Sequence, residues 1–89
     1  MAVWGLDVQQ VRELSSQLNQ KAGEIQQILT QLSSKLSSTQ WNGPDAERFR
    51  NEWSGQHTAS LKNVINALHD AAQKASKNAS AQESTSSSL

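Results

Sequence analysis

His57 and His69 are the only histidines in the sequence, and Asp70 stands beside the second. Two histidines that share a metal on one helix are four residues apart and lie on one face. These are twelve apart, about 120° around a helix, and point in different directions. Asp70 follows His69 directly and so projects elsewhere, which leaves no Ser–His–Asp relay. With no cysteine there is no thiolate nucleophile, no thiolate metal site and no disulfide. The sequence holds no phosphate-cradling glycine loop and no carboxylate cluster. These residue types predict a protein that is not an enzyme, with no catalytic residue, no cofactor and no metal ligand.

The remaining composition narrows the partners. The formal net charge is zero, and Lys and Arg are scattered, so there is no basic cluster to neutralise a phosphate backbone; nucleic acid is not an expected ligand. Ser and Gln account for 25 of the 89 residues, which makes the polar faces uncharged rather than cationic. Surface-active helices set Lys and Arg opposite their apolar face, so no stable membrane insertion is expected either. Met1 to Asp7 lacks the basic region and long apolar stretch of a cleavable leader.

Chemistry being absent, the question passes to the elements. Asp7 suits an N-cap: Gln10 then falls at N3 to complete a capping box, and Leu6 and Val11 occupy the positions of a hydrophobic staple. From there Val11, Leu14, Leu18, Ala22, Ile25, Leu29, Leu32 and Leu36 recur at spacings of three and four, which predicts one helix over about 7–40. Its interior holds Gly23, at a cost of about 0.8–1 kcal/mol relative to alanine. Trp41-Asn42-Gly43 is the expected turn, with Pro44 suited to the first position of the next helix and Asp45 and Glu47 matching its dipole. Ala46, Phe49, Trp53, His57, Leu61, Val64 and Leu68 predict a second helix over about 44–82, with Phe49 and Trp53 as buried neighbours. Residues 84–89 are expected to form a disordered tail, and Trp4 with Leu6 to cover the free end.

A turn this short forces the helices antiparallel, with residues whose numbers add to about 86 side by side: Ile25 near Leu61, Leu18 near Leu68. The fold class is therefore all-α, a two-helix hairpin over residues 1–83. Ile25, Ile28, Leu29 and Leu32 on one helix, and Leu61, Val64, Ile65 and Leu68 on the other, make an apolar face wider than one neighbouring helix covers. Two hairpins packed into a four-helix bundle would bury it. The expected core of hairpin and dimer is Val11, Leu14, Leu18, Ile25, Ile28, Leu29, Leu32, Leu36, Phe49, Trp53, Leu61, Val64, Ile65 and Leu68.

Gly43 and Pro44 suffice to make a turn, so Trp41 asks for a further reason. A Trp-x-Gly turn between two long amphipathic helices, in a cysteine-free chain of 89 residues, resembles the WXG-100 family, the small helical hairpins exported by type VII (ESX) secretion systems of actinobacteria and firmicutes. The resemblance runs over nearly the whole chain. It implies pairing with itself or with a related protein, and a composite export signal: Trp41 and Gly43 as one half, and a Tyr-x-x-x-Asp/Glu tail on the partner as the other, read by the secretion ATPase. The sequence has no tyrosine; Glu83 can match the acidic position, but Ala79 stands four residues before it. The expectation is a protein made in the cytoplasm and secreted with the help of a partner that carries the tyrosine. The alternative is a cytosolic chaperone or adaptor for a larger toxin or structural protein.

Overall fold

The computed structural model of the chain describes residues 7–87; Trp4 and Leu6 lie outside this range. The Asp7 carboxylate accepts the Gln10 amide N–H at 3.1 Å, and α1 (Val8–Ser38) begins where the cap predicts. After the turn, α2 (Pro44–Glu52) passes through a single π-helical turn, Trp53–His57, into α3 (Thr58–Ser87). Gly43 is the N-cap of α2 and Pro44 its first residue. The result is an antiparallel hairpin measuring 68 × 17 × 16 Å, all helix and turn among the described residues.

Register across the hairpin is fixed by side chains. Ser15 Oγ donates to the Ala72 carbonyl at 2.8 Å, His69 Nδ1 lies 2.7 Å from Asn19 Oδ1, and Trp53 Nε1 donates to Ser33 Oγ at 2.9 Å. These pairs add to 86–88, in agreement with the expected alignment. Arg12 closes the open end through an ion pair with Glu83 at 3.0 Å.

The seam between the helices is thin. Its buried members are Ala22, Leu29, Ala46, Ile65, Ala72 and Ala79, with Ser15. Small side chains let the helices approach closely enough for Ser15 to reach a backbone carbonyl across the gap. Val11, Leu18, Ile25, Leu36, Trp53, Leu61 and Leu68 are half-buried along its edges. Leu14, Ile28, Leu32, Phe49 and Val64, expected in the core, are 45–53% exposed.

Three expectations change. The second helix is not uniform: one extra residue in the π turn places Thr58, not His57, beside the seam, and His57 is exposed. Both the Thr58 amide and its Oγ1 donate to the Trp53 carbonyl, the hydroxyl at 2.7 Å. Phe49 leaves the buried stripe because Ala46, Arg50 and Trp53 fill the seam there. The helix also continues to Ser87, past the predicted end at about 82. Gln82 is half-buried and Glu83 is held by Arg12, and extending a formed helix costs little. The rest of the expected tail, residues 88 and 89, falls outside the described range.

Gly23 lies on the outer side of α1, where a Cβ would meet nothing within 4 Å. Gly23→Ala is expected to stabilise the hairpin by about 0.4–1 kcal/mol, read as a higher urea midpoint with an unchanged slope.

Candidate interaction surface at the turn

The closed end of the hairpin is built around Arg50. Its guanidinium donates to three carbonyls: Trp41 at 2.7 Å, Thr39 at 2.9 Å and Leu36 at 3.4 Å. Helix α1 ends here with carbonyls that have no further turn to bond to, at the negative end of its dipole. A cation with several fixed donors satisfies them at once. Arg50 thereby ties the end of α1 and the residue that bears the indole to α2. Ala46, Arg50 and Trp53 follow at spacings of four and three, so an arginine on the seam, one turn from a helix end, was the available signal in the sequence.

Trp41 rests against Phe49, ring centroids 5.3 Å apart and tilted by 56°, within the range of favourable aromatic pairs. The indole is 38% exposed. Leu32, Lys35, Leu36, Thr39 and Trp53 join the two rings around an apolar pocket of about 290 Å³. On the opposite side of this end, Ser33, Ser37, Asn51, Ser54 and Thr58 join Leu36, Arg50 and Trp53 in lining a second cleft of about 380 Å³. Gly43 adopts φ +116° and ψ 176°, a region essentially confined to glycine, and its carbonyl accepts the Glu47 amide at 3.1 Å. A side chain at 43 would strain the turn.

The family model described as proteins of 100 residues with WXG matches residues 6–86. The chain belongs to the WXG100 family. Neither a curated protein nor a solved structure matches it. The Trp-x-Gly signature of the WXG100 fold is thus Trp41-Asn42-Gly43, at the tip of the hairpin.

Other candidate residues stand apart. His57 faces Trp53 at 6.3 Å between ring centroids, while His69 is engaged by Asn19 on the neighbouring helix. No three His, Cys, Asp or Glu among the described residues are placed to hold a metal ion, and no helix there is long and apolar enough to cross a membrane. In the tail, Ala79 is completely buried in the seam and Glu83 is ion-paired with Arg12. Ala79 and Glu83 both make contacts within the hairpin.

Proposed function

We propose that this WXG100 protein is a small, non-enzymatic substrate or partner of a type VII (ESX) secretion system, acting as a dimer with itself or with a related family member. The observation that carries the reading is the exposed Trp41, set on Phe49 and tethered through its carbonyl by Arg50 in the turn that bears the family signature. Trp41 and Gly43 form one half of a composite export signal. The partner chain contributes the Tyr-x-x-x-Asp/Glu half, and the secretion ATPase reads the two together. The protein is made in the cytoplasm and is exported from it by that system. The thin seam and the five exposed aliphatic and phenyl side chains support pairing, because one hairpin by itself buries little apolar surface.

In the native host, the protein is expected in the culture medium when the ATPase is intact and only in the cell when it is deleted. Trp41→Arg removes the exposed ring, and Gly43→Arg strains the turn; each is expected to abolish release. Equal release from the deletion strain would overturn the reading. One observation favours a second: Ala79 and Glu83 are committed to intrachain contacts, as suits a chaperone or adaptor that stays in the cell with a larger toxin or structural protein. That reading requires co-purification with such a partner from the cytosol and none of the protein in the medium.

A further inference from the structure

Asn42 is the middle residue of the Trp-x-Gly turn, and of the six asparagines in the sequence it alone precedes a glycine. The other five, Asn19, Asn51, Asn63, Asn66 and Asn78, lie inside α1, α2 or α3, each with the next residue in the same helix. The amide that follows each of them is therefore held in a helical hydrogen bond. Asn42 and Gly43 are both exposed. Among the described residues, nothing in the chain accepts a bond from the Gly43 amide and nothing engages the Asn42 side chain. Gly43 has no Cβ, and even a Cβ built there would meet no atom within 4 Å.

From this we infer that Asn42 is a site of self-modification, at which the Gly43 amide nitrogen attacks the Asn42 side chain and converts it, with water as the only co-reactant, into aspartate or isoaspartate. Hydroxide removes the proton from the Gly43 nitrogen, which then bonds to Asn42 Cγ. The bond from Cγ to Nδ2 breaks, and the nitrogen leaves as ammonia after taking up a proton. The product is a five-membered cyclic imide. Water then adds to one of its two carbonyls: opening at Cγ gives aspartate with the main chain as before, and opening at the main-chain carbonyl gives isoaspartate. The sum is amide plus water to carboxylate plus ammonium, and nothing is oxidised or reduced.

The turn lifts the two restraints that protect the other asparagines. A helical neighbour must first break its own hydrogen bond before its nitrogen can attack, and any side chain on it would crowd the attacked carbon. Either product takes the formal net charge of the chain from zero to one negative. The new carboxylate stands just before Gly43, the N-cap of α2, where the helix dipole favours negative charge. It is also one residue from the Trp41 carbonyl that Arg50 holds at 2.7 Å. Isoaspartate adds a methylene to the main chain between Trp41 and Gly43, so the two signature residues stand one bond further apart in that product. The reaction needs neither a partner chain nor a secretion system and is independent of the export reading.

Peptide mass mapping of the aged full chain tests this. The purified protein is incubated in warm, mildly alkaline buffer, with and without urea, and cleaved after Lys and Arg, which releases residues 36–48 as one peptide. In the folded chain this peptide is expected to gain the mass difference between an amide and a carboxyl group and to split into two chromatographic forms. The isoaspartyl form accepts a methyl group from a protein isoaspartyl methyltransferase. Conversion at the five helical asparagines is expected to be at least about tenfold slower, the handicap of breaking one helical hydrogen bond. Urea narrows that gap by speeding the helical sites while leaving Asn42 little changed. Asn42→Gln, whose side chain would have to close a six-membered ring, is expected to lose the new forms. An Asn42 that converts only in urea, or no faster than the helical asparagines in the folded chain, would overturn the inference. So would the same forms appearing undiminished in Asn42→Gln.

Discussion

Leu29→Asp is expected to unfold the chain, whereas Leu32→Asp, three residues further on, leaves the buried seam in place. Leu29 is 3% exposed and is one of only two large apolar side chains among the described residues buried in the seam, Ile65 being the other. The substitution removes a buried leucine, a loss of about 2–5 kcal/mol for truncation alone, and adds a desolvated, unpaired carboxylate. A chain of this size commands only about 3–5 kcal/mol from a single core, so the expected result is near-complete loss of helical circular dichroism at 25 °C. Leu32 is 48% exposed. Beyond the loss of its contacts in the pocket with Trp41 and Phe49, the cost of Leu32→Asp falls on the proposed pairing, and that part should appear as a melting temperature that varies with protein concentration. Equal, concentration-independent damage from both would contradict the division between seam and outer face.

Arg50→Met is the second large effect. Methionine keeps an unbranched stem but leaves the carbonyls of Leu36, Thr39 and Trp41 without their shared donor. Hydrogen bonds to charged groups contribute about 1.5–3 kcal/mol each, but water can replace a partner at this partly exposed end, which lowers the sum. A net loss of about 2–3 kcal/mol is expected, with amide exchange accelerated most at the closed end of the hairpin. Arg50→Lys should recover only part of it, because an ammonium lacks the guanidinium's rigid fork of donors. A variant as stable as the parent, with unchanged exchange, would show that the three bonds are ornamental.

Much of the hairpin was legible before any coordinates. Asp7 caps α1, Gly43 and Pro44 open α2, and the antiparallel alignment follows from a turn too short for any other return. The misplaced core residues share one cause, which is that periodicity tells which residues are apolar but not which of two adjoining faces they serve. Helical spacings run equally well through Phe49, Trp53 and His57, four and four apart, as through Ala46, Arg50 and Trp53, four and three apart. The structure takes the second path because alanine and arginine permit close approach and satisfy carbonyls, while the phenyl ring turns outward to meet Trp41. Arg50 escaped notice because its partners are backbone oxygens brought near only by the fold. The turn's Trp41 and Gly43 were readable as a signature, but the pocket beside them required Leu32 and Phe49 to be placed outside the seam.

The π turn between Trp53 and Thr58 has a consequence for how chain length can vary. Upstream, Ala46, Arg50 and Trp53 keep seam spacing; downstream, Leu61, Ile65, Leu68 and Ala72 keep it again, and the surplus residue is absorbed within Trp53–His57. In an α-helix one residue is about 100° of rotation. A single insertion or deletion elsewhere in α3 would swing everything beyond it off the seam. Between Trp53 and Thr58 the helix already holds the mechanical equivalent of an expansion joint. Homologous hairpins that differ by one residue in their second arm are therefore best aligned with the gap placed here, where a change of length is a change of winding and not of phase.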